Sequence, residues 1–388
     1  MSAALRTGLR LRGTPLRFRF DGREVEAIAG DSAASALLAN GTRLMGRSLK
    51  YRRRRGVLTA GPEEPNALFS VGAPPCVVPN VPAPQLLVRE GLLVRSQNRW
   101  PTLAFDLASL LRAGGGLLGA GFYYKTFIWP SWRTYEGLIR ALAGLGEAPR
   151  EADLEPPAIE HLACDVLVAG AGPAGLVAAL AAARRGARVV VCEREPACGG
   201  ELEFERAVVD GRPALEWVAG ALAELARCGA RLLTDTALVG GSDGLMIAHA
   251  QPGGLPGEDA LYRIRPRALV NAMGAVERPI AFIDNDLPGV MLLGAAERYL
   301  VRYGVRVGAS LVLFGNHDRV YATAARRTRG CRVSGRARRA RRRRWARGCR
   351  CARGAARRPG GRPHDRLRRA ARQRRLDAGR ARQPERGR

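Results

Sequence analysis

Hydrophobic positions change their period along the chain, and each change marks a switch between strand and helix. Leu16 to Phe20 alternate apolar and polar, stop at Asp21-Gly22 and resume over Val25 to Ile28, which predicts an antiparallel hairpin. The next run has helical spacing: Ala33, Ala34, Leu37 and Leu38 share one side, with Asp31 or Ser32 as the cap. From Asn66 to Pro101 proline recurs between short strands, and the apolar run Leu103 to Leu111 stops at Gly114-Gly115-Gly116. Gly121 to Trp132 holds six aromatics and a single charge, Lys125, which points to a buried surface or an interface rather than base stacking. Trp132 to Leu145 predicts a helix, and the polar, proline-bearing Glu151 to Pro157 a linker.

The most apolar stretch, Cys164 to Ala183, has the length of a membrane span. Asp165 near its start, and Gly170, Pro173 and Gly175 within it, argue instead for a buried strand turning into a helix. Val166 to Ala169 is the strand, Gly170-Ala171-Gly172-Pro173-Ala174-Gly175 the turn, Leu176 to Arg185 the helix, and Arg188 to Cys192 a second strand ending in Glu193. Each residue type has a physical task. Gly170 permits the tight turn, Gly172 lets backbone approach a pyrophosphate, and Gly175 lets helix and strand pack closely. Free N–H groups at the helix start would hold the pyrophosphate. Glu193, 23 residues after Gly170, would accept from both adenosine-ribose hydroxyls and disfavour a 2′-phosphate, which argues against NADP. NAD and FAD both use this arrangement; Pro173-Ala174 and Gly199-Gly200 are common in flavin-type two-dinucleotide enzymes without deciding between them.

Further on, Leu215 to Ala226 predicts a helix and Ala230 to Thr234 a strand, and the turns and short strands of Leu245 to Leu261 suggest an inserted sheet. Ala268 to Ala272 is a strand leading to Met273-Gly274-Ala275, where Gly274 allows close backbone packing near the dinucleotide. Leu292 to Tyr303 is a helix. Ser310 to Phe314, followed by Gly315-Asn316-His317-Asp318, would open a second nucleotide-binding half.

Charge is distinctive only at the end of the chain. The 388 residues carry 64 Lys plus Arg against 35 Asp plus Glu, but 27 of the arginines and only three acids lie in residues 326–388. The body is nearly balanced, so the whole-chain charge does not announce a nucleic-acid binder. The tail has too little apolar surface to order itself and is expected to be disordered. With Lys50 and Lys125 as the only lysines, the gene reads as very GC-rich, and the leading explanation of the tail is a frameshift near codons 322 to 330. An Arg-rich arm binding phosphates non-specifically is the alternative. The dense basic loop Lys50 to Gly56 reads as a solvated surface, as an anion or partner-subunit contact, or, least favoured, as a nucleic-acid site. The eight cysteines are too spread for a disulfide framework and read as reduced, mostly core thiols, and four histidines leave a zinc site without support. No catalytic acid–base pair stands out, and His317 reads as a loop or packing residue. The basic N-terminus lacks a secretory signal, so a cytoplasmic protein is expected.

Several longer strings resemble the alpha subunit of heterotetrameric sarcosine oxidase: GRSLKYRRRRG (Gly46 to Gly56), GPEEPNAL (Gly61 to Leu68), GFYYKTFIWP (Gly121 to Pro130), CDVLVAGAGPAGL (Cys164 to Leu176), GAVERPIAFIDNDLPGVML (Gly274 to Leu292) and RYGV (Arg302 to Val305). The resemblance covers roughly residues 16 to 325. It departs at Arg52 and Arg54, where that family usually has His and Pro, at Met273 for threonine, and at His317. The resemblance and the composition of the tail together imply an α/β chain: a flexible start (1–15), a small ferredoxin-like α+β domain lacking its cluster (16–100), a helical connector (101–160), an incomplete Rossmann-like dinucleotide-binding domain (161–325) and the Arg-rich tail (326–388). Only Cys76 precedes residue 164, and one thiol cannot ligate a cluster. Carried over, Gly170, Gly172, Pro173, Ala174, Gly175 and Glu193 would hold NAD, with Gly200 and Gly274 nearby and FAD as the alternative ligand. The family further implies a beta subunit carrying FAD, an FMN at the alpha–beta contact, and gamma and delta subunits. The A-type subunits of opine oxidase and cyanide synthase share the general plan, and a self-contained FAD-dependent oxidoreductase and a non-functional truncated product are further readings.

Overall fold

The computed structural model describes residues 5–6, 11, 13–48, 51–74, 77–112, 129–143, 146, 157–204, 207–255, 258–316, 318–327 and 332–337. All of them fall in one compact unit, Met1–Arg344. Lys50, Cys76, Lys125, His317, most of the aromatic run after Gly121 and the tail beyond 337 lie outside the described residues.

The hairpin forms as expected: β1 (Pro15–Phe20) pairs antiparallel with β2 (Arg23–Ile28), Phe18 opposite Val25. Helix α1 (Ala33–Ala39) is buried throughout, and of the two candidate caps it is Ser32 that accepts from the Ser35 N–H, at 3.2 Å. Asp31, also buried, instead gathers the Ser35 hydroxyl, the Ile28 N–H and the Arg6 guanidinium. The short pair β3 (Gly46–Arg47) and β4 (Arg54–Arg55) frames the basic loop. Strands β5 (Leu68–Val71), β6 (Val78–Pro82) and β7 (Leu93–Ser96) complete a five-stranded sheet of order β2-β1-β7-β5-β6, with β1 and β7 parallel. Its core centres on Phe18, Leu37, Met45, Phe69 and Leu86. After it come a 3-10 turn (Leu107–Arg112) and α2 (Trp132–Ala143).

The second sheet holds β8 (Ala158–Ala169), β9 (Val189–Cys192), β12 (Arg231–Leu233), β13 (Thr236–Ser242), β14 (Leu245–Ala250) and β15 (Ala260–Asn271), in the order β12-β9-β8-β15-β14-β13; the two-residue strands β10 (Val208–Val209) and β11 (Arg212–Pro213) form a separate hairpin. The four strands β12, β9, β8 and β15 are parallel, and the β13–β14 hairpin is the inserted antiparallel piece. Helix α3 (Pro173–Ala183) follows β8 and buries Gly175, Leu176, Ala179, Leu180 and Ala183, one helical face, with Val168, Val189 and Val191 in the same core. Helix α4 (Ala214–Arg227) packs beside it through Val218, Ala221 and Leu225. Both faces of β8 and β9 are covered around Leu167 and Val190, so the last four residues of β8 and the whole of β9 are continuously apolar rather than alternating.

Helix α5 (Leu293–Val301) returns the chain to the first sheet. Tyr299 on it, and Tyr303 just after, lie in the core of the N-terminal domain, and the Tyr299 hydroxyl donates to the Thr59 carbonyl at 2.9 Å. Strand β16 (Ser310–Gly315) precedes α6 (Arg319–Arg327), and β17 (Arg332–Ala337) pairs parallel with β16. Part of the segment expected to be disordered from residue 326 is therefore a helix end and a strand. The apolar edge of β16 supplies a partner that the tail's own composition does not reveal.

In the basic loop Arg54 is exposed, while Arg52, Arg53 and Arg55 have partners inside the chain that the sequence did not reveal. Arg52, in the left-handed region at φ 48°, is buried and pairs with the buried Asp106 at 2.9 Å. Arg53 reaches Asp284 and Asp286, and Arg55 reaches Asp286. These charges are neutralised inside the chain and staple the first domain to the loop before α5. They do not form an open anion site.

Candidate functional site

The expected turn forms where β8 ends. Gly170 has φ +97°, and a Cβ there would lie 2.5 Å from the Ala272 carbonyl oxygen, so glycine is required on both counts. A Cβ on Gly175 would lie 1.9 Å from the Gly170 carbonyl oxygen, which is how the helix comes so close to the strand. Gly172 is the N-cap of α3 and supplies no side-chain cap, and Pro173 opens the helix. The first-turn N–H groups of a helix have no intrahelical acceptor. The space beyond Gly172 is open, since no atom lies within 4 Å of a Cβ built there. Backbone donors, no side chain and open space at one point fit a diphosphate.

Glu193 stands at the end of β9 beside this turn, 8% exposed. Its Oε2 accepts the Ala171 N–H at 2.6 Å and its Oε1 the Glu195 N–H at 2.9 Å. The carboxylate is thus fixed by backbone, with lone pairs left on both oxygens for hydroxyl donors. Gly199 donates its N–H to the Ala171 carbonyl at 2.8 Å, and a Cβ on Gly200 would lie 3.3 Å from the Gly172 Cα. Gly170, Gly172, Pro173, Ala174, Gly175, Glu193 and Gly200 therefore share one locality. Gly274, φ +73°, lies two residues past Ala272, whose carbonyl meets the Gly170 position. Met273 beside it is exposed and donates its N–H to Asn271 Oδ1.

Sequence reading missed the side chains behind this locality. The Glu195 carboxylate accepts from Arg298 Nη1 at 3.1 Å and Arg302 Nη1 at 2.7 Å, and Arg302 also pairs with Glu203 at 2.6 Å. Burial pushes the Glu195 carboxyl up, but the two guanidiniums outweigh it and hold it below the usual glutamate range. The Phe204 ring lies under both arginines. Glu277, in the loop after Gly274, accepts the N–H groups of Leu293 and Gly294 and so ties that loop to the start of α5. No local spacing signals these pairings, because the partners lie far apart in the chain. The nearby thiols are not activated: burial pushes Cys192 up to about 12 and, with the Glu193 charge, Cys198 up to about 11. Among the described residues no cluster of metal-ligating side chains exists, and no helix is long and apolar enough to cross a membrane.

Comparison with known proteins matches both halves. Residues 13–99 match the model of a 2Fe-2S iron-sulfur cluster binding domain, and residues 165–235 that of an FAD dependent oxidoreductase. The donor set of the first half does not fit a cluster: such clusters take four ligands, usually thiolates, and residues 13–99 contain only Cys76. The fold is similar to that of L-proline dehydrogenase from P. horikoshii, with TM-score 0.59 and 21% identity over 86% of this chain and 56% of that one. An FAD-dependent-oxidoreductase type of Rossmann domain, preceded by an iron–sulfur-type β domain, is the class these findings define. Within it, the chain is a homologue of sarcosine oxidase alpha subunits. It is 44% identical over 329 residues to the subunit of Rhizobium meliloti (strain 1021), covering 82% of this chain and 33% of that protein, and 34% identical over 333 residues to that of Corynebacterium sp. (strain U-96), covering 83% and 30%. The A-type subunit of opine oxidase from Rhizobium meliloti (strain 1021) is 33% identical over 170 residues, 42% of this chain and 35% of that protein. The chain thus spans about a third of the length of the sarcosine oxidase relatives it matches.

Proposed function

We propose that the chain is an alpha-type, dinucleotide-binding subunit of a flavin-dependent complex that oxidises sarcosine or a related N-methylamine, and that the dinucleotide held at its glycine turn is NAD. The observation that carries the reading is the 44% identity to a sarcosine oxidase alpha subunit, sustained over 329 residues. In this reading the N–H groups at the start of α3 bind the diphosphate, Gly172 leaves it room, and Glu193 accepts from the adenosine ribose while disfavouring a 2′-phosphate. Flavin supplies the hydride-accepting chemistry, and the protein's part is binding and orientation. The partners are a beta-type subunit carrying FAD, an FMN at the contact with it, and gamma and delta subunits, in the cytoplasm. No residue near the turn is assigned an acid–base role, so the chain alone is expected to be weakly active or inactive.

A second reading has a specific observation behind it: the FAD dependent oxidoreductase match over residues 165–235 supports FAD as the ligand of the same turn. The visible spectrum of the purified full chain, with calorimetric titration by NAD, separates the two. A colourless chain that binds NAD supports the first reading. A yellow chain with stoichiometric FAD overturns it.

A further inference from the structure

The residue after the ribose-facing acid is a cation, Arg194. A guanidinium in this neighbourhood is the group that accommodates a 2′-phosphate in dinucleotide sites. Glu193 and Arg194 thus have opposite preferences, and what Arg194 pairs with decides how far its preference is expressed. The structure gives it a partner from the other domain: Arg194 Nη2 lies 3.5 Å from Glu63 Oε2. Glu63 sits in the loop after Gly61, and its Oε2 is buried and accepts no hydrogen bond from the described residues, so this oxygen is answered by the Arg194 charge alone. Glu64, next to it, is committed elsewhere. It is buried and accepts the N–H groups of Leu58, Thr59, Asn66 and Ala67, which fixes the backbone that presents Glu63. The Arg194 charge also reaches Glu195, where it adds to Arg298 and Arg302. Glu63 and Glu195 therefore both act on the guanidinium that follows Glu193 at the end of β9.

We propose that Glu63 of the ferredoxin-like domain is a specificity-determining residue for the dinucleotide: by holding Arg194 in an interdomain ion pair it withholds that guanidinium from the adenosine 2′-position, so that rejection of a 2′-phosphate is shared between Glu193 and Glu63. The assignment rests on the reading of the glycine turn as an NAD site. It gives the ferredoxin-like domain, whose residues do not fit a cluster, a part in ligand choice.

The test is calorimetric titration of the full chain with NAD and with NADP, in the parent, Glu63→Gln, Arg194→Ala and the double variant, with thermal melts to establish that each is folded. Glu63→Gln is expected to tighten NADP binding about fivefold, the scale of one partly exposed ion pair, and to leave NAD within about twofold. The double variant is expected to lose that gain. Arg194→Ala alone is expected to leave NADP within about twofold of the parent, because the guanidinium is already engaged. An unchanged NADP response in Glu63→Gln, or a gain that persists in the double variant, overturns the role of Glu63 while leaving the NAD site standing. A tenfold NADP loss in Arg194→Ala does the same independently of whether Glu63→Gln folds. A parent chain that binds neither dinucleotide overturns the site itself, and with it this role.

Discussion

Two glycines of one turn carry different burdens. Gly175 is needed to fold, because the Gly170 carbonyl oxygen occupies the place of its missing Cβ. Gly172 faces open space at an ordinary φ of −70°, so its lack of a side chain matters only to something arriving from outside. Gly175→Ala is expected to cost about 2–4 kcal/mol of stability through overpacking against backbone. Gly172→Ala is expected to change stability by no more than about 0.5 kcal/mol while, in the proposed binding mode, weakening dinucleotide binding by at least roughly tenfold, since a methyl group would stand in the path of the diphosphate. Thermal melts and calorimetry on the two variants check this, and a Gly172→Ala chain that melts early yet binds normally would reverse the assignment. All of this turn was legible in the sequence, since Gly, Gly, Gly and Glu at those offsets are a local pattern. The second use of Glu193, tying down the Ala171 N–H, was not, because the acid meets the turn only across two paired strands.

At the scale of elements, reading and structure agree best where a segment is buried on one clear face and least where it is exposed. Helix α3 begins three residues before the expected Leu176 because Pro173, which interrupts the apolar run, is suited to a first helical position. Strand β8 extends back to Ala158 and β15 starts at Ala260, well before the expected Ala268, and the two pair along their whole length. Their first halves carry Glu160, His161, Arg263 and Arg265, so they lack the apolar run that marks the rest. Pairing in the sheet, not burial, makes them strands. The same logic applies to the link between α5 and the loop after β9. Glu195 keeps its charge in a mostly buried place only because Arg298 and Arg302 face it. Its carboxyl is held low in the folded chain, so its contribution to stability is complete above the ordinary glutamate value of about 4.3 and fades as pH falls through the lower folded value. Glu195→Gln is expected to cost about 2–4 kcal/mol at neutral pH by leaving two partly buried guanidiniums short of a partner. The gap between parent and variant should narrow as the pH is lowered toward 3. Denaturant melts across pH 7 to 3 measure it, and a gap independent of pH would show that Glu195 acts by packing rather than charge.

At the scale of the whole molecule, the two sheets are not separate bodies joined by a linker. Tyr299 and Tyr303 plug the core of the first from the chain of the second, and Arg53 and Arg55 clasp Asp284 and Asp286. An expected boundary near residue 160 is crossed by this packing, and the Glu63–Arg194 pair crosses it again. The charge of the molecule is distributed in the opposite way. Of a formal net +29, most lies in residues 326–388, while the body is close to neutral. Binding to double-stranded DNA is therefore expected to come from the tail, to ignore sequence and to fall steeply as salt rises from 50 to 200 mM. A chain ending at residue 337 should lose that binding and keep its dinucleotide affinity. DNA binding that survives the deletion would place a nucleic-acid surface on the body, and lost dinucleotide affinity would make the tail part of the fold.

Features that depend on neighbours within a few residues can be read from the chain before it folds: the hairpin at Asp21-Gly22, the strand–turn–helix around Gly170, the acid at the end of β9 and the strings shared with sarcosine oxidase alpha subunits. Only the tertiary structure decided which charges meet. Arg52 is buried on Asp106, Arg53 crosses to Asp286, Arg302 holds Glu195, and the exposed Arg194 lies beside Glu63. An arginine in a sequence carries the same charge wherever its partner lies, and a pairing between residues this far apart in the chain exists only once the chain between them has folded.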